Sequence, residues 1–291
     1  MPPKGPLPPR PASRARFSPA SALDLPLVVL REEEEWVVVV KPAGLLSVPG
    51  SEPWAADAAS ERVRALFPRA RGGLVAHRLD MATSGVMVFA LSPRALAALN
   101  RDFEAKRVHK RYAAVVSAPL DRLDRLAAAR GDLIDLPLRL DPFHRPLQVV
   151  DPLLGKPTLT RWAPAAAHPL GALVHLWPVT GKTHQLRLHA AHPLGLGAPI
   201  VGDAIYHREA NMGAEGAVAV GGARRLLLHA EELTFLDPLT RAPVTCRAPA
   251  PFTDAPLADL PLADAAPSPL SPHSPGDAPH VLSAQPRRRE L

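Results

Sequence analysis

The sequence predicts an α+β fold: a mixed, mostly antiparallel sheet with a few helices laid against it. Two observations carry this. Several β-branched runs of strand length recur between residues 26 and 252. Proline and glycine separate them, which favours a meandering antiparallel sheet over a regular strand–helix–strand alternation.

Taken in order, Leu27-Val28-Val29-Leu30 and Trp36 to Lys41 are strand candidates. The acids Glu32 to Glu35 between them read as a solvated turn. Ala55 to Leu66 is expected to be helical, and Val86 to Leu91 a buried strand. Ser92-Pro93 then opens a helix, with serine as N-cap and proline at the first helical position. Leu96, Leu99 and Phe103 fall on one face of it. Tyr112 to Ser117 and Val174 to Val179 are further strands, and His184 to His192 a further helix.

Residues 1–25 carry seven prolines with Lys4, Arg10, Arg14 and Arg16, and read as a disordered basic arm. Residues 253–291 carry eight prolines, end in an arginine run and read as a disordered tail. The expected catalytic body is therefore 26–252. At 291 residues the chain can bury a large core. A net charge of +6 favours a polyanionic partner. Its single cysteine, Cys246, excludes an internal disulfide and any cysteine-rich metal site. No run is long enough to cross a membrane, and the N-terminus lacks the pattern of a secretory signal, so the expected setting is the cytoplasm.

The chemistry concentrates in a few blocks. His77-Arg78-Leu79-Asp80-Met81-Ala82-Thr83-Ser84-Gly85 sets a carboxylate beside a basic side chain and then turns into a strand. Thr180-Gly181-Lys182-Thr183-His184-Gln185-Leu186-Arg187-Leu188-His189 supplies a basic partner, and Lys110-Arg111-Tyr112 a phenol. Together with Lys41-Pro42-Ala43-Gly44, Pro199 to Tyr206 and Leu226 to Ala230, these blocks resemble, in order, the motifs of the RluA-type family of pseudouridine synthases. The resemblance runs from about residue 27 to 252. It implies a pseudouridine synthase fold, with a bent mixed sheet and a central catalytic cleft. The implied function is isomerisation of uridine in ribosomal or transfer RNA. That reaction breaks the C1′–N1 bond, turns the uracil and joins C1′ to C5. It is redox-neutral, so no cofactor and no metal are expected.

The resemblance also implies roles. Asp80 acts on the ribose, as nucleophile at C1′ or as base at the 2′ position. Arg187 keeps that carboxylate charged in a closed cleft, and its planar fork can hold it bidentately. Tyr112 holds the base flat and takes the C5 proton. The target nucleoside must leave its stack, and Arg78 resembles the family arginine that fills the hole. His77 either touches phosphate or anchors the loop. Lys41 and Lys182 are phosphate or wall contacts, and Lys182 stands where the family has arginine, which keeps the charge but loses the fork.

Rival readings fail on spacing. Gly181-Lys182-Thr183 lacks the phosphate-loop glycine five residues earlier, where Leu176 stands. Leu79 separates Arg78 from Asp80, unlike a kinase catalytic loop. His184, His189 and His192 cannot share one face of a helix, which argues against a metal-dependent hydrolase. A non-catalytic RNA-binding protein on the same scaffold would keep the basic surface and lose Asp80, Arg187 or Tyr112, and all three are present. The expected protein is a monomer that binds RNA and no membrane.

Overall fold

The structure, a computed structural model, describes residues 25–50, 56–207 and 223–253. Apart from Leu25 and Thr253, the expected arm and tail lie outside them. The core is a nine-stranded sheet with β1 (Val28–Glu32), β2 (Trp36–Lys41), β3 (Ser84–Ala90), β4 (His109–Val116), β5 (Leu133–Asp135), β8 (Leu159–His168), β9 (Gly171–Pro178), β10 (Leu228–Leu236) and β11 (Pro243–Arg247). The strand order is β1-β2-β3-β10-β4-β9-β8-β5. A separate ribbon pairs β6 (Leu138–Leu140) with β7 (Gln148–Val150). Every pairing is antiparallel except β3 with β10. On one edge of β10, β3 takes His229 and Ala230, and β11 takes Glu232 to Leu236.

β2 and β3 are buried along their whole length, which explains why they read as unbroken apolar runs. Their alternate side chains feed two different cores. Val37, Val39, Met87 and Phe89 pack with Val63 of α1 (Ala59–Leu66). Trp36, Val38, Val40, Val86 and Val88 pack with Ala95 and Leu99 of α2 (Pro93–Glu104). Ser92 caps α2 by accepting from the Ala95 N–H at 3.1 Å, with Pro93 in the first turn, as its sequence predicts.

Two helix starts differ from expectation, and two further elements were not expected. α1 begins at Ala59 rather than Ala55, because Ala58 is extended and bridges Leu46. α4 (Gln185–Ala191) begins after His184, whose backbone is left-handed. α3 (Leu120–Arg130) and β8 are absent from the expected elements. β8 was hidden by Pro164 and four alanines; a proline cannot donate to the ladder, yet here it sits beside a register shift that accommodates it.

Candidate active site

The loop carrying Asp80 is pinned on both sides by the segment after β2. Ser47 Oγ accepts from the Leu79 N–H at 3.0 Å and donates to the Leu79 carbonyl at 2.7 Å. Lys41 is fully buried, and its Nζ donates to the carbonyls of Pro42 and Leu45, each at 2.8 Å, and of Met81 at 3.2 Å. This corrects the expectation for Lys41. A buried ammonium must meet acceptors, and here they are the backbone carbonyls of its own loops, so it holds Asp80 in place and cannot reach a phosphate.

The Thr-Ser-Gly triplet seats the other end of the loop in the sheet. Ser84 Oγ bonds His229 Nδ1 at 2.8 Å, and the opposite ring nitrogen faces the Ala248 carbonyl at 3.1 Å. The carbonyl can only accept, so Nε2 carries the proton and Ser84 donates to Nδ1. Gly85 lies against β10 so closely that a Cβ would meet the Ala230 oxygen at 2.3 Å, and its φ of +124° suits glycine alone.

Asp80 faces a cleft of about 990 Å³ whose walls include Tyr112, Arg78, Lys182, His184 and Arg187. Arg187 Nη1 stands 3.6 Å from Asp80 Oδ2. The fork of Arg187, however, belongs to another acid. Nε and Nη2 donate to the two carboxylate oxygens of Asp203 at 2.8 and 2.7 Å. The bidentate partner of Arg187, expected to be Asp80, is thus Asp203, fully buried on the loop after Ile200. Asp203 also accepts from the N–H groups of Ile205 and Tyr206. Burial is the largest influence and works to raise its carboxyl, but the Arg187 hydrogen bonds and charge, with the two backbone N–H donors, together hold it below the ordinary range. Burial likewise opposes the Arg187 charge, and Asp203, with smaller help from Asp80 and Tyr206, more than restores it.

Tyr112 extends into the cleft from β4 and is 9% exposed. Burial and then the Asp80 charge push its phenol well above the ordinary range, so it stands protonated. Of the two roles open to His77, its contacts fit the loop anchor. Its ring stacks on Phe103 at 4.6 Å, and Nε2 accepts from the Val88 N–H at 3.1 Å. Burial, with Lys110 nearby, lowers it to about 3, so this neutral ring anchors the loop. Arg78 and Lys182 are exposed on the cleft wall.

Two residues near Asp80 were not singled out for this role from the sequence. His184 brings Nε2 to 4.0 Å from Asp80 Oδ2. Tyr206 bonds His184 Nδ1 at 3.1 Å and lies under the Arg187 guanidinium, 5.5 Å from its ring centroid. Asp203 and Tyr206 belong to the matched Pro199–Tyr206 block, which was a findable signal; their partners were not. His189 is buried and bonds Thr158 at 2.7 Å, away from His184. Among the described residues no group of three or more His, Cys, Asp or Glu side chains is placed to hold a metal ion, and no helix is long and apolar enough to cross a membrane.

The chain is similar to known proteins of one family. The model of the RNA pseudouridylate synthase family matches residues 35–192. The dual-specificity RNA pseudouridine synthase RluA of Haemophilus influenzae is 40% identical over 228 residues, which is 78% of this chain and 94% of that protein. The protein of the same description from Escherichia coli K12 is 40% identical over 227 residues, with the same coverage of each. Among solved structures, human RNA pseudouridylate synthase domain containing 4 superposes with a TM-score of 0.57 at 25% identity, covering 77% of this chain and 88% of that one.

Proposed function

The chain belongs to the RNA pseudouridylate synthase family and is a pseudouridine synthase, and from that premise we propose how its cleft divides the work. Asp80 acts on the ribose of an extruded uridine, at C1′ as nucleophile or at the 2′ position as base. Either route needs the carboxylate ion. Arg187 meets that carboxylate from 3.6 Å, and because Asp203 already compensates its charge, it leaves Asp80 free to move onto the sugar. That arrangement carries the reading.

Tyr112 is the platform for the uracil. Held protonated, it can take the C5 proton only by passing its own proton on in the same step, and the Asp80 carboxylate, whose charge acts on the phenol, is the proposed acceptor, free again once C1′ is joined to C5. Arg78, exposed at the cleft, fills the space that the flipped base leaves. Lys182 meets the backbone as a point charge. No step is an oxidation or reduction, so the proposed chemistry runs without a cofactor. The proposed working unit is one copy. The proposed catalytic body is residues 26–252, with a tail at each end.

The proposed substrates are uridines in ribosomal or transfer RNA in the cytoplasm, chosen by the shape of the surrounding fold. Chemical mapping of pseudouridine in a strain lacking the gene, beside its parent and a strain restored with Asp80→Ala, tests this. One or more uridines in those RNAs should lose modification and regain it only with the unaltered protein. Unchanged maps would overturn the substrate. Restoration by Asp80→Ala would overturn the role of Asp80 and leave a non-catalytic RNA-binding protein as the reading.

A further inference from the structure

His184 is a buried group beside Asp80 to which the proposed reaction gives no work. It sits just before α4 with φ 54° and ψ 15°, a left-handed conformation uncommon for residues other than glycine and less so for histidine, asparagine and aspartate. Sites that keep such a backbone tend to be functional. The left-handed turn places the imidazole between Tyr206 and Asp80. On one side, Tyr206 Oη accepts from the Gln148 N–H at 2.8 Å and meets His184 Nδ1 at 3.1 Å. On the other, Nε2 faces Asp80 Oδ2 at 4.0 Å. Arg187 Nη1 has the same oxygen as its nearest approach, at 3.6 Å.

We propose that His184 is a second positioning residue for Asp80: a neutral imidazole whose Nδ1 accepts the Tyr206 proton and whose Nε2–H, together with Arg187, holds Oδ2 and turns Oδ1 toward the ribose. The proposal rests on Asp80 as the reacting carboxylate. The phenol oxygen already accepts from a backbone N–H, so its single proton is left for Nδ1. That leaves the imidazole proton on Nε2, facing the acid. The charged and titratable groups around the ring are Arg187, Asp80, Asp203 and Tyr206. Burial and the Arg187 charge lower His184, against the opposing pull of Asp80 and Asp203, which keeps it neutral at ordinary pH. Burial raises the Tyr206 phenol to about 12, so its proton stays in place. Both contacts to Oδ2 are longer than hydrogen bonds, so the carboxylate is aimed without being locked.

Nitrogen-15 spectra of histidine-labelled protein test the tautomer directly. The signal lost in His184→Asn should be that of a neutral ring protonated at Nε2, and a ring protonated at Nδ1, or an imidazolium at pH 7, would overturn the proposal. Asparagine suits the left-handed backbone but is too short to reach Asp80. His184→Asn should slow single-turnover isomerisation roughly tenfold to a hundredfold with RNA affinity unchanged. His184→Gln, whose amide reaches near the Nε2 position, should recover part of that loss. An unaltered rate in His184→Asn, a loss matched by equally weakened RNA binding, or no recovery in His184→Gln would each overturn it. If His184→Asn fails to fold, Tyr206→Phe takes its place: it should slow turnover and release the tautomer preference, and an unchanged spectrum and rate would be fatal. Asp80→Ala separates the two readings. Turnover without Asp80 would remove the proposed function, whereas an inactive Asp80→Ala beside a fully active His184→Asn would remove this inference alone.

Discussion

Asp203, not Asp80, occupies the fork of Arg187, at 2.7 and 2.8 Å with both partners almost wholly buried. Gly202 makes this possible. Its φ is +78°, and a Cβ there would lie 1.7 Å from the Arg225 carbonyl oxygen, so the chain can press against its neighbour and insert the acid. Breaking one side of a buried pair strands the other charge. Asp203→Asn should therefore cost about 3–5 kcal/mol of stability, read by chemical denaturation. The freed guanidinium should close on Asp80, and single-turnover rates should fall even where the variant remains folded.

Tyr112→Phe keeps an aromatic platform and removes the hydroxyl. RNA affinity should hold while turnover falls by roughly two to four orders of magnitude, the usual span for a proton-transfer group. Tyr112→Ala should weaken binding as well. Filter binding and single-turnover assays on one RNA distinguish the two variants. Full activity in Tyr112→Phe would assign the residue to stacking alone.

Lys41 and Lys182 should part company in salt. A lysine that meets phosphate contributes about one unit to the slope of log affinity against log salt. Lys182→Ala should reduce that slope. Lys41→Met should leave it unchanged and instead lower stability and turnover, because the loop on both sides of Asp80 loses its clamp.

Gly85→Ala should destabilise the fold by at least about 3 kcal/mol, since positive φ and a clash with the β10 backbone combine. Ala90→Gly at the far end of the same strand should cost roughly 1 kcal/mol. Comparable urea midpoints for the two would contradict the close β3–β10 approach.

Stability should fall as the solution is acidified from about pH 6.5 to 4. Thr158 Oγ1 donates to the Leu136 carbonyl at 2.5 Å, so it accepts from His189 Nε2–H and leaves Nδ1 unprotonated, with no hydrogen-bond partner. Burial, with His192 nearby, lowers His189 to about 4. A depressed histidine binds its proton in the unfolded chain first, so stability is present above the unfolded value near 6.5 and is lost as pH falls toward the folded one. His189→Gln should flatten that part of the melting-temperature profile. His77, lowered to about 3, extends the loss to still lower pH.

The residues alone determined the parts whose cause is local. The β2 and β3 runs are apolar enough to be covered on both faces, Ser92-Pro93 starts a helix wherever it stands, and the ordered motif blocks carry the family. Leu120, Leu123 and Leu126 also mark α3 by a spacing of three. Tertiary structure decided which charge meets which. Whether Arg187 takes Asp80 or Asp203, and whether Lys41 faces phosphate or three carbonyls, depends on backbone atoms distant in sequence that share one buried space. Coulomb attraction does not choose between two carboxylates. Hydrogen-bond geometry and desolvation do, and those exist only once the chain has folded.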